Sequence, residues 1–137
     1  MDWTYHGAAV TDEEAESHLG FVYLITNVVT GRMYVGKKLF TRAKTLKPLK
    51  GKTRKRRSRV ASDWRDYWGS SKELQQDVER VGPDQFTREV LHFCETRGEL
   101  SYMELTEQVI RDVLRKPEKY YNAYVGARIS RKHLQQK

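Results

Sequence analysis

The chain has 137 residues, a single cysteine and a formal net charge of +8, with 38% hydrophobic and 32% charged residues. That length suits one domain with a core of its own, the lone Cys94 excludes a disulfide framework and a cysteine-based zinc site, and no apolar run approaches the roughly 18 residues of a membrane span. The start, Met1-Asp2-Trp3-Thr4-Tyr5, has no basic or apolar leader pattern, so a cytoplasmic setting is expected.

The charge is unevenly placed. Residues 1–16 hold five acids and no Lys or Arg. Residues 17–62 hold thirteen Lys or Arg and no acid, and residues 63–137 hold thirteen of each sign. A field concentrated in one third of the chain attracts polyanions and repels itself until a partner neutralises it. It points to a nucleic-acid partner. Without an amphipathic apolar face it does not point to a membrane surface.

In chain order, residues 1–18 read as an irregular N-terminal arm. Residues 21–27, Phe-Val-Tyr-Leu-Ile-Thr-Asn, and 32–38, Arg-Met-Tyr-Val-Gly-Lys-Lys, are rich in aromatic and β-branched residues and predict two strands. The intervening Val28-Val29-Thr30-Gly31 suits a hairpin loop. The very basic stretch 40–62 contains Pro48 and Gly51, which oppose a helix, and reads as a mobile loop. Ser70-Ser71-Lys72-Glu73 opens a helix that Val81-Gly82-Pro83 closes. Residues 86–94 predict a third strand. A helix follows from about 99 to 115, with Leu100, Met103, Val109, Ile110, Val113 and Leu114 as its apolar side. Tyr120 to Val125 reads as a short extended segment, and 128–137 as a basic tail that includes Arg128, Arg131, Lys132 and Lys137. The expected class is α+β, a small three-stranded antiparallel sheet flanked by helices, with the domain proper at 19–127.

The hairpin carries the most chemical information. With its loop centred on Val29-Thr30, Tyr34 faces Ile25 and Gly36 faces Tyr23, and alternation puts all four on one face. A glycine beside a tyrosine then leaves a side-chain-sized gap through which a ligand could reach the phenol. Lys37 and Lys38 follow at once. On strand chemistry alone, an ordinary half-buried hairpin with two packing tyrosines accounts for the same pattern.

Phe21-Val22-Tyr23, then ten residues, then Tyr34-Val35-Gly36 resembles the paired tripeptides of the GIY-YIG nucleases. Thr30-Gly31-Arg32, Ser62-Asp63-Trp64, Tyr67-Trp68-Gly69-Ser70-Ser71, Phe86 to Leu91, Gly98 to Glu104 and Tyr120-Tyr121-Asn122 are similar to a phage branch of small stand-alone endonucleases. The resemblance covers about residues 20–130. It departs at Phe21, where the family has Gly, and at Val22 and Val35, where it has Ile.

The resemblance implies hydrolysis of DNA phosphodiesters with one divalent ion, Mg²⁺ or Mn²⁺, leaving 5′-phosphate and 3′-hydroxyl ends. It implies a metal-holding Glu on the helix after the third strand, matched best by Glu104, with Glu107 one turn on as the competitor. One carboxylate suffices for a hard cation if water and DNA complete the shell. The four His show no paired ligand spacing. Tyr23 is implied as general base; its phenol titrates at about 10 when unperturbed, and Lys37, Lys38, an Arg and the metal are expected to lower that value. Tyr34 is implied as hydrogen-bond donor, Asn122 as a brace, and Arg42 as the arginine on the scissile phosphate, with Arg54, Arg56, Arg57 and Arg59 as alternatives. Lys38, Lys52, Arg54, Lys55, Arg56, Arg57 and Arg59 are expected to grip DNA phosphates. Trp64, Tyr67 and Trp68 either stack on bases or pack on the sheet.

The reading is a metal-dependent DNA endonuclease, phage-encoded and acting in a bacterial cytoplasm, as monomer or homodimer. The rivals are a binding protein of the same fold that has lost catalysis, and an interaction protein whose basic loop meets RNA or an acidic protein.

Overall fold

The computed structural model describes residues 2–135. At its centre, β3 (Gly20–Asn27) pairs antiparallel with β4 (Met33–Leu39) on one side and with β7 (Phe86–Cys94) on the other. The β3–β4 register sets Tyr23 opposite Gly36 and Ile25 opposite Tyr34, as the sequence requires. Nearly every residue of β3 is buried, because both faces of the strand are covered. It therefore reads as a continuous apolar run and not as an alternation. Asn27 shapes the hairpin turn: its side-chain oxygen accepts from the N–H groups of Val29 and Thr30 at 3.0 and 3.3 Å, and Gly31 completes the turn at φ +78°.

The sheet has five strands where three were expected. The arm read as irregular forms β1 (Trp3–Tyr5), β2 (Ala8–Ala9) and α1 (Asp12–Ser17). The strand order is β2-β1-β7-β3-β4, with β1 parallel to β7. Trp3 is the physical reason. It is buried, meets Phe21 and Tyr23 edge-on at 5.0 and 5.2 Å, and its indole N–H donates to the Trp64 carbonyl at 2.7 Å. Strands this short carry too few residues to show a period in sequence. Met1 of the expected arm and Gln136 and Lys137 of the expected tail lie outside the described residues.

The basic stretch 40–62 is also not a loop. It folds into an antiparallel hairpin, β5 (Thr41–Leu46) with β6 (Arg56–Ala61), separate from the main sheet. Pro48 and Gly51 fall in its connection. Lys and Arg occupy both faces, so no alternation marks the strands, and the same charges guard their exposed edges.

Phe21, Tyr23 and Ile25 face a core with Trp3, Phe40, Trp64, Leu74 and Phe86; Leu74 belongs to α2 (Lys72–Val81). The bulk of Phe21 is absorbed by Phe40 at 4.7 Å and Trp3. Val22 and Leu24 face a second core with Leu100 of α3 (Arg97–Ile110), Val113 and Tyr120. The α3 helix ends five residues earlier than expected, because Asp112 adopts left-handed φ of +56°. Val109, Ile110 and Leu114, expected on its apolar side, are exposed.

Strand β4 is the sheet's edge, but the C-terminal segment closes part of it. The Met33 N–H donates to the Lys119 carbonyl and the Tyr121 N–H to the Met33 carbonyl, both at 2.8 Å. Among the described residues no helix is long and apolar enough to cross a membrane.

Candidate active site

The edge of β4 is where the two faces of the sheet meet. Tyr34 and Gly36 share one face with Tyr23, while Lys37 points to the α3 side, where its ammonium donates to Ser101 Oγ at 2.7 Å. Helix α3 crosses that side and brings Glu104 and, one turn on, Gln108 to the edge. The C-terminal segment supplies Asn122 and Tyr124. The result is a cavity of about 560 Å³ lined by Tyr23, Tyr34, Gly36, Lys37, Ser70, Glu104, Gln108 and Asn122 among others.

Gly36 does not leave a gap. The space beside it is filled by Tyr23 itself: a Cβ on Gly36 would stand 2.5 Å from Tyr23 Cζ and closer still to the hydroxyl. The expected entry for a ligand is therefore the seat of the phenol. Gly69, at φ +81°, makes a second close approach, with its Cβ position 3.3 Å from the Tyr23 hydroxyl and 3.2 Å from the Tyr34 ring. A β-bulge next to Tyr23 adds to this seating: Val22 pairs with His92 and Tyr23 with Val90, leaving Leu91 as the extra residue.

Tyr23 is 1% exposed. Burial, then Tyr67, Tyr34 and Glu104, hold its phenol well above the ordinary tyrosine range. Of the lowering expected from nearby cations, none from Lys37, Lys38 or an Arg figures among these causes. Lys38 is engaged elsewhere, with Asp63 at 2.6 Å and over the Tyr67 ring at 4.1 Å. Tyr34 is also raised by burial, against a lowering by its hydrogen bond to Ser70 Oγ at 2.9 Å.

Glu104 lies mostly buried, with the Lys37 ammonium 4.0 Å away. Burial raises its pKa and Lys37 pulls it partly back. Glu107 lies outside this cavity and is held by Arg111 at 3.3 Å and His92 at 3.5 Å. The donor set suits one hard divalent cation at Glu104, its shell completed by water and phosphate oxygens. It does not suit zinc: among the described residues no three His, Cys, Asp or Glu side chains gather.

Asn122 lines the cavity and bonds to the β4 backbone at Val35. Arg42 does not line the cavity at Glu104. It lines a neighbouring one of about 480 Å³ together with Lys38, Arg59 and Arg97, and Lys37 borders both. Lys52, Arg54 and Lys55 lie exposed in the β5–β6 connection, and Arg56, Arg57 and Arg59 on β6. Trp64 and Trp68 are taken up by packing, Trp64 against Phe40 at 5.1 Å and Trp68 over the Arg88 guanidinium at 4.2 Å. Tyr67 stands edge-on to Tyr23 at 6.1 Å. Ser70, Gln108 and Tyr124 were not singled out from the sequence; the i, i+4 spacing of Gln108 from Glu104 was the one signal that could have found a member of the set.

The sequence model of a family described as "Putative endonuclease segE, GIY-YIG domain" matches residues 3–125. A protein named "Putative endonuclease segE", from Enterobacteria phage T4, is 31% identical over 107 residues. That match takes in 77% of this chain and 41% of the relative, so the chain spans about two-fifths of the relative's length. No solved structure matches. With the paired tripeptides on one hairpin and the family match running over nearly its whole length, the chain belongs to the GIY-YIG family.

Proposed function

We propose that the protein is a metal-dependent DNA endonuclease that works at the edge of β4. The observation that supports this most is the convergence of Tyr23, Tyr34, Lys37 and Glu104 on one cavity from opposite faces of the sheet. A binding protein needs no buried carboxylate beside two phenols, and burial of such groups at a cleft is how reactive sites are tuned.

In this reading Glu104 holds a single Mg²⁺ or Mn²⁺ ion, which when bound supplies positive charge to the scissile phosphate. The Tyr34 hydroxyl gives up Ser70 and donates to a phosphate oxygen. Lys37 adds charge from the α3 side. Tyr23 orients the attacking water and, from its phenolate form, takes the proton. The bond that forms joins the water oxygen to phosphorus; the bond that breaks releases the 3′ oxygen, which takes a proton from solvent water, leaving 5′-phosphate and 3′-hydroxyl ends. Asn122 positions β4 and touches no reacting atom. The exposed Lys and Arg of the β5–β6 hairpin hold the duplex through its phosphates.

The test is digestion of plasmid DNA with and without Mg²⁺ or Mn²⁺. Wild-type protein nicks or cuts in metal; Glu104→Ala and Tyr23→Phe do not. Undiminished cutting by both variants would remove the mechanism, and binding without cutting by the wild type would favour a DNA-binding protein of the same fold. Glu107→Ala keeps its cutting if Glu104 alone holds the ion.

A further inference from the structure

The cavity beside the candidate active site is lined by Lys38, Arg42, Arg59 and Arg97, and the hydrolytic step itself draws on none of these four. It opens between β4, the β5–β6 hairpin and the start of α3, and it shares Lys37 with the cavity at Glu104. Among the described residues Asp63 is its only acid, and Lys38 already occupies that carboxylate at 2.6 Å. Arg42 and Arg97 have no carboxylate within ion-pair distance among the described residues.

Arg59 is oriented in advance. Its Nε donates to Thr41 Oγ1 at 3.1 Å, and its Nη2 to the Thr41 carbonyl and Oγ1, both at 2.9 Å. That fixes the guanidinium plane and leaves Nη1 for a ligand. Arg42, Arg59 and Arg97 all border this hollow together with Lys37 and Lys38, and guanidinium and ammonium N–H groups in such a setting suit the oxygens of a nucleic-acid phosphate. The charge left over has a cost in self-repulsion that a bound anion removes.

We propose that this cavity is a second phosphate site, which holds the backbone phosphate next to the one at Glu104 on the same nucleic-acid strand. Lys37 stands between the two phosphates. Arg42 is then a binding group for the flanking phosphate and not the arginine of the reacting one. The inference rests on the nuclease reading for the phosphate at Glu104, but it is tested without cutting.

The experiment is fluorescence anisotropy of a short labelled DNA duplex with the full chain in EDTA, over a series of salt concentrations. Replacing Arg42 and Arg97 together by Gln should lower the slope of log affinity against log salt by about 0.9 for each phosphate that is no longer neutralised. Arg42→Lys with Arg97→Lys should restore most of it. Arg115→Gln, at a residue 83% exposed and paired with Asp112, should leave it unchanged. Ala43→Glu, at an exposed β5 residue lining the cavity, puts a carboxylate there without removing a guanidinium, and should weaken binding even if the double variant folds poorly. Wild-type slopes in both the double Gln variant and Ala43→Glu would overturn the second site while leaving the nuclease reading standing. An equal drop in Arg115→Gln would also overturn it, by showing a general charge effect. Failure of the wild type to bind DNA would overturn both.

Discussion

Asn122 satisfies both backbone polar groups of Val35: its side-chain oxygen accepts from the Val35 N–H at 3.1 Å and its amide donates to the Val35 carbonyl at 2.8 Å. Gln108 donates to the same carbonyl at 3.1 Å. Val35 lies between Tyr34 and Gly36 on the edge strand, so the two amides take the place of a missing neighbouring strand where the site needs β4 to be still. An edge left open there would be free to move or to pair with another chain.

Asn122→Asp is therefore expected to be worse than Asn122→Ala. Ala leaves the Val35 N–H without its partner while Gln108 stays on the carbonyl, a loss of about 1–3 kcal/mol. Asp keeps the acceptor for the N–H but sets a buried carboxylate oxygen against a carbonyl that already receives Gln108. Chemical denaturation of the two variants checks the order. If Asp is as stable as wild type, the Asn122 amide does not donate to Val35.

Gly36→Ala tests the seat of Tyr23. The added methyl overlaps the phenol, and overpacking of this kind costs typically about 1–3 kcal/mol. The ring must leave its place over β4, so cutting should fall further than stability does. Gly126→Ala, where a Cβ meets nothing within 4 Å, serves as the packing control and should match wild type in thermal melt.

The sequence was informative where residues act within one element. The Tyr23–Gly36 pairing, the third strand at Phe86–Cys94 and the Ser71 cap on α2 all follow from local pattern. What it hid depends on contacts between distant segments. Trp3 becomes a strand residue because Phe21 and Trp64 receive it, 18 and 61 positions away. The β5–β6 hairpin has no apolar face to betray its period. The empty volume inferred at Gly36 was real as a missing side chain, but whether a ligand or Tyr23 fills it depends on the rotamer of the tyrosine. The raised phenol of Tyr23 was invisible for a related reason. Burial and Glu104 oppose the phenolate, and only coordinates show that Lys38 is turned to Asp63.

Glu104→Gln should abolish cutting and yet raise stability near neutral pH. Because burial raises the Glu104 pKa, the folded state binds that proton more tightly than the unfolded chain does. The ionised carboxylate thus subtracts from stability above its folded pKa, and stability is regained as pH falls through it. Gln removes the buried charge at nearly constant shape. Each kcal/mol of relief is worth about 4 °C in Tm for a chain of this size. Thermal melts in EDTA should show the variant above wild type at neutral pH, with the gap closing as pH is lowered. A variant that melts below wild type would mean that the Lys37 contact outweighs the burial.

The rate of cutting should climb with pH across the neutral and mildly alkaline range. Two groups set this profile, and both have raised pKa values. Protons compete with the cation for Glu104, and burial, which raises its pKa, favours the proton, so the metal concentration needed for cutting rises as pH falls. Tyr23 accepts a proton only after losing its own, and burial with Tyr67, Tyr34 and Glu104 holds that proton on. Occupation of Glu104 by a cation removes one of those contributions, but burial, the largest, remains. The phenolate fraction therefore still rises with each step in pH, by up to about tenfold per unit while the group is mostly protonated. Single-turnover rates with saturating metal and DNA measure this directly. A rate that levels off at neutral pH, with Glu104 fully ionised, would take the base role away from Tyr23 and leave it as a donor that orients the water.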